Sequence, residues 1–189
     1  MTRRTEQEFM QDLTLLLTTE GVSNLTIAEM ANRLKCSKRR LYQIAPTKEE
    51  IFLYVCKAVL TKNLERGALI TRAGLDPRKE ISEYLQATLN ASGIKKPCLV
   101  DLDTTEAGRK LFDDYQEARI RGLESIIERG VKEKIFTQHN PRLVSEAILG
   151  AARRLRNQDF LDEAGLNVGE AFQQFYQIIL NGLLEPNQQ

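Results

Sequence analysis

Apolar residues recur three and four positions apart along almost the whole chain, while runs that alternate with period two are scarce. That spacing stacks apolar side chains on one face of an α-helix, so an all-α fold is expected. Start and stop signals cut the pattern into elements. Phe9, Leu13, Leu16 and Leu17 form one stripe, and Gly21 can take the left-handed backbone that ends a helix, which predicts a first helix over about 5–20. Thr26 with Glu29, and Thr47 with Glu50, are capping boxes, in which hydroxyl and carboxylate each satisfy a free N–H at a helix start. Beyond the second box, Phe52, Val55, Cys56, Val59, Leu60 and Leu64 predict a long connecting helix over about 47–73, fading at Ala73 and Gly74. Asp76 before Pro77 and Asn140 before Pro141 place a capping side chain ahead of a proline at the first helical position, so both open helices. Leu111, Phe112, Tyr115, Ile120, Leu123, Ile126 and Ile127 predict a helix over about 105–134, and a final pair is expected over about 141–161 and 168–184.

Residues 27–44 read as helix, turn, helix. Met30, Ala31, Leu34, Cys36, Leu41 and Ile44 fall where two short helices crossing steeply must touch, with Ala31 at the closest approach and Ser37 capping the second helix. Arg33, Lys35, Lys38, Arg39 and Arg40 put five cations into the eight residues 33–40 with no acid among them. Three of these crowd a helix N-terminus, where each opposes the helix dipole by roughly 0.3–1 kcal/mol. A phosphodiester backbone would offset that. Lys38, Arg39, Arg40 and Gln43 would then face the major groove, where Arg or Lys bridges guanine O6 and N7 and Gln pairs with adenine. The helix starts at Thr26 and Thr47 offer N–H groups suited to phosphate oxygens. A basic run is usually a solvated face; the surrounding turn geometry is what favours nucleic acid here.

Whole-chain charge is uninformative, because 27 Lys and Arg against 26 Asp and Glu leave only +1. The first residues are charged and the apolar run Leu13 to Leu17 is short, bounded by Asp12 and Glu20, so no signal peptide is expected, and no stretch reaches the roughly 18 apolar residues of a membrane span. Cys36, Cys56 and Cys98 are few, odd in number and widely spaced, which fits a reducing, cytoplasmic compartment better than a disulfide framework or a metal site. Cys36 and Cys56 sit at apolar helical positions and read as small core residues, a redox-sensing role being the lesser reading. Single His139 beside Asn140 reads as a loop residue. No cofactor motif, nucleophile elbow or phosphate-cradling glycine loop is present.

The run Leu25, Thr26, Ile27, Ala28, Glu29, Met30, Ala31, followed by Ser37 and Lys38, Leu41 and Tyr42, then Pro46 to Ile51, resembles the tetracycline-repressor (TetR) family over roughly residues 5–60. The resemblance implies a DNA-binding domain over 1–50 and a helical effector-binding and dimerisation domain over 51–189. It implies phosphate contacts at Thr26, Ser37, Tyr42 and Lys48, with Lys38, Arg39, Arg40 and Gln43 on the recognition helix. It further implies a transcriptional regulator, usually a repressor, whose DNA heads are respaced when a small-molecule effector binds. Three departures stand out: Lys35 replaces a glycine in the turn and would need a left-handed backbone, Ile44 and Ala45 replace an aromatic, and Arg40 replaces a small residue.

One small helix-turn-helix contacts few base pairs, so a homodimer reading a palindromic operator in double-stranded DNA is expected. By the resemblance its interface is a four-helix bundle of the last two helices, with Leu155, Phe175, Ile179 and Leu183 as candidates. Tyr115, Arg154, Phe172 and Tyr176 are candidate effector contacts. The alternatives for the same residues are core packing or dimer interface for the aromatics, and a solvated face or ion pairs to Asp159, Asp162 and Glu163 for Arg153, Arg154 and Arg156. Two rival functions remain: an interaction protein with this fold but no operator recognition, and a small-molecule-binding enzyme using Arg153 and His139.

Overall fold

The computed structural model describes residues 5–90, 93–155 and 157–183. It is all-α: α1 (Glu6–Glu20), α2 (Ile27–Arg33), α3 (Lys38–Tyr42), α4 (Lys48–Arg72), α5 (Pro77–Leu85) continued by a π-helical turn (Gln86–Asn90), α6 (Lys96–Asp103), α7 (Glu106–Lys132), α8 (Pro141–Arg154), α9 (Gln158–Ala164) and α10 (Val168–Leu183). The caps explain the boundaries. Thr5 with Glu8, Thr26 with Glu29 and Thr47 with Glu50 are all reciprocal boxes. Asp76 and Asn140 accept from the amides of Arg78 and Leu143 ahead of α5 and α8. Gly21 and Gly74 take φ of 76° and 64° just past α1 and α4.

Two expectations need correction. The single helix over 141–161 is broken, because Asn157 accepts the Phe160 amide and starts α9 afresh after α8 has ended at Arg154. Helix α6 is an addition to the expected elements: its first turn is capped by Lys95 without a side-chain bond, so it carries none of the usual start signals beyond Pro97.

The chain divides into two compact units, residues 1–65 with 89–116, and residues 66–88 with 117–189. In the first, Phe9, Leu13 and Leu17 of α1 meet Leu25, Met30, Ala31, Leu34 and Leu41 of the helix-turn-helix, Ile51, Phe52, Val55 and Cys56 of α4, and Cys98 and Leu102 of α6 in one core. Compactness thus groups α6 and the start of α7 with the first 65 residues.

The second unit has its own buried set, including Ile81, Tyr84, Leu123, Ile126, Ile127, Phe136 and Ile148. Tyr84 donates its hydroxyl to the Arg119 carbonyl, and Gly122 has no Cβ because the same phenol ring fills that space. Glu80 is wholly buried and ion-paired with Arg129. Arg142 holds both oxygens of Glu117 at 2.9 Å and bonds Glu146 one turn on. Among the described residues no helix is long and apolar enough to cross a membrane.

Candidate nucleic-acid interface

The helix-turn-helix is built as its apolar spacing predicts. Met30 and Leu41 are fully buried, and Ala31 and Leu34 nearly so, which locks α3 across α2. The turn closes with Lys35 N–H donating to Asn32 O at 3.1 Å and Cys36 N–H to Ala31 O at 2.9 Å. Lys35 adopts φ 48°, the left-handed backbone expected of it despite its Cβ. Ser37 Oγ accepts the Arg40 amide at 3.3 Å and starts α3. Ile44 and Ala45 are half-buried against the core.

The basic side chains divide into two groups. Lys35, Lys38 and Arg39 are exposed, with no ion pair among the described residues. Tyr42 and Gln43 stand beside them, Tyr42 being 50% exposed. Arg40 turns back on the protein instead: its guanidinium lies 4.0 Å from the centre of the Phe9 ring and bonds Glu6 at 2.7 Å. Arg33 pairs with Glu20. Helix α3, with Gln43 at its C-terminal cap, therefore presents Lys38, Arg39, Tyr42 and Gln43 outward, and Arg40 fastens the helix to α1.

Thr26 and Lys48 also have internal work. Thr26 Oγ1 donates to Glu29 Oε2 and accepts the Glu29 amide, and the Thr26 N–H donated to Glu29 is the foremost reason that carboxyl sits below the usual range. Lys48 Nζ donates to the carbonyls of Val22, Ser23 and Leu25 at 3.1, 3.3 and 2.8 Å, which ties the base of α4 to the loop entering α2. The same loop is gripped from the other side by Asp101 of α6, 8% exposed, which accepts the Val22 and Ser23 amides and the Ser23 hydroxyl. Burial alone would raise the Asp101 pKa; the bonds from Ser23 and Val22 and the charge of Lys48 outweigh it and hold the carboxylate below its ordinary value. Gly21 makes the grip possible, because a Cβ there would strike the Asp101 carboxylate. Lys95 N–H adds a bond from the start of α6 to Thr18 O at 2.8 Å. Sequence spacing gives no hint of Asp101, which lies 79 residues from Val22; a lone acid inside the apolar run Cys98 to Leu102 is the available signal.

The remaining candidates fall in both units. Tyr115 belongs to the first, buried and tilted against Phe112 with ring centres 6.2 Å apart. Arg154, Phe172 and Tyr176 belong to the second. Arg154 lies 5.2 Å over the Phe160 ring, and Phe172 is half-buried. Burial, with the nearby Asp76 carboxylate, pushes the Tyr176 phenol up to about 12. Leu155, Phe175 and Ile179 are half-buried, whereas Leu143 and Ile178 are each 69% exposed. Arg156 and Leu184 lie outside the described residues, as do the side chains of Arg153, Leu180 and Leu183. His139 is exposed in the loop before α8.

No family model and no curated protein matches the sequence. Solved structures do match over nearly the whole chain. PfmR, a TetR-family transcriptional regulator from Thermus thermophilus, superposes with a TM-score of 0.70 at 19% identity, covering 94% of this chain and 99% of that one. A putative transcriptional regulator from Saccharomonospora viridis, solved with choline, gives 0.81 at 15% identity, covering 95% and 97%. E. coli NemR in its reduced form gives 0.76 at 16% identity, covering 95% and 98%. The chain has the all-helical fold of TetR-type regulators.

Proposed function

We propose that this protein is a sequence-specific, DNA-binding transcriptional regulator, acting as a homodimer on a palindromic operator and released from it by a small-molecule effector. The observation that carries the reading is the outward face of α3: Lys38 and Arg39 stand exposed with no acid paired to them among the described residues, beside exposed Tyr42 and Gln43. Cations so placed are unfavourable at a helix start unless an external anion meets them. Lys38, Arg39 and Gln43 are the base readers of this proposal, Thr26, Ser37 and Tyr42 its phosphate contacts. Arg40 and Lys48 reach DNA only by exchanging Glu6 and the loop carbonyls for phosphate.

Residues 1–50 would act as the DNA head and 51–189 as the effector and dimerisation part. Small-molecule control is supported by the choline bound to the S. viridis regulator. Tyr115, Arg154, Phe172 and Tyr176 remain the effector candidates. Leu155, Phe175, Ile179 and Leu183 remain the interface candidates, joined by exposed Leu143 and Ile178. A cytoplasmic protein that acts through binding and not catalysis follows from this reading. Gel shift against fragments of the source genome tests it. Selective retention of a few fragments is expected, and uniform weak binding of all fragments would leave the interaction-protein alternative standing.

A further inference from the structure

Cys56 of α4 and Cys98 of α6 bring their sulfurs to 3.6 Å inside the core of the first unit, and both residues are fully buried. They are separated by 42 positions in sequence, so the fold and not local geometry makes them neighbours. We infer that this pair is a reversible oxidation site, closed to an intramolecular disulfide by hydrogen peroxide or an organic hydroperoxide.

The chemistry is complete with the peroxide as the oxidant. One thiolate attacks a peroxide oxygen; the O–O bond breaks, the peroxide takes two electrons and leaves as water or alcohol, and the sulfur becomes a sulfenic acid. The second sulfur attacks the first, the S–O bond breaks, and a second water departs as the S–S bond forms. In sum two S–H bonds are lost and one S–S bond is gained. The partner thiol is already in contact, so the sulfenic acid is intercepted before further oxidation.

Burial sets the rate. The Cys98 contact and desolvation push the Cys56 thiol up, which keeps Cys56 protonated at rest, and burial shields both sulfurs. Attack therefore waits for a transient local opening that admits the peroxide beside the pair, and the pair responds to sustained rather than brief exposure. Closure draws the sulfurs together by roughly 1.5 Å to reach a bond of about 2.05 Å. Both helices feel that movement where it matters. Lys48 lies about two turns before Cys56 on α4, and Asp101 lies one turn after Cys98 on α6. Those are the two side chains that hold the loop entering α2.

The test uses full-length protein carrying Cys36→Ser, incubated with hydrogen peroxide, then unfolded and alkylated. The expected product has lost two hydrogens, takes up no alkylating reagent, yields one cross-linked peptide pair joining Cys56 to Cys98, and is restored by dithiothreitol. Full alkylation of both cysteines, or a sulfinic acid on one without a cross-link, would overturn the inference. Should that variant not fold, peptide mapping of the wild-type chain decides the same question, a cross-link through Cys36 counting against the inference. Operator affinity is the second readout and rests on the regulator reading. It should change several-fold on oxidation of the wild type and not in Cys98→Ala; a disulfide that leaves affinity untouched would refute the coupling to the head. The mass readout needs no DNA, so it stands even if the regulator reading fails.

Discussion

Two neighbouring arginines show how little a residue's type says about its task. Arg39 points to solvent, while Arg40 stacks on Phe9 and bonds Glu6. Arg39→Ala should therefore weaken operator binding by about tenfold or more, the size of one base-specific hydrogen-bonded pairing, with an unchanged melting temperature. Arg40→Ala should instead lower unfolding free energy by about 1 kcal/mol, because it removes the stacking on the ring and the exposed ion pair. Equal effects of both on DNA affinity, measured by fluorescence anisotropy, would contradict that division. Asp101 is the other telling residue. Its replacement by Ala leaves the buried Val22 amide without its acceptor, so a loss of about 1–3 kcal/mol is expected in urea unfolding at neutral pH. Because the folded state depresses its pKa, its contribution is present above the unfolded value near ~4 and fades as pH falls through the lower folded value. The difference between wild type and Asp101→Ala should accordingly shrink in acid; a difference that widens there would show the wrong sign.

At the scale of elements, the turn between α2 and α3 holds Lys35 in a left-handed conformation at φ 48°. That strain is about 1–2 kcal/mol for an L-residue, against about 0.5–1 kcal/mol of extra chain entropy lost by glycine. Lys35→Gly is thus expected to stabilise the protein by about 0.5–1 kcal/mol in thermal unfolding, and a lower midpoint would show that the backbone is not strained. This turn, the capping boxes at Thr26 and Thr47 and the start of α8 are all legible in the sequence, because each is fixed by residues within a few positions of one another. The grip of Asp101, the Cys56 and Cys98 contact and the Arg40 and Glu6 pair are not, since each joins residues 34 or more positions apart and depends on how α6 and α1 pack. The break between α8 and α9 is local and still hard to read: Asn157 caps a helix without the proline that marks Asn140.

For the whole molecule, the proposed reading of DNA by the outward face of α3 would cover enough sequence only if two copies acted together. Sedimentation at micromolar concentration should show a dimer, and Ile178→Glu, which places a charge on an exposed apolar position of α10, should shift it toward monomer. A wild-type monomer would remove the palindromic operator from the proposal. The measurement closest to the central claim is the salt dependence of operator binding for the wild type and for Lys38→Ala with Arg39→Ala. Cations that meet DNA release counterions, so log affinity should fall steeply with log salt, and the double variant, which lacks two base-reading cations, should bind the operator far more weakly with a slope shallower by at most about one for each cation removed. Identical affinity and slope for the two proteins would mean that α3 does not face nucleic acid.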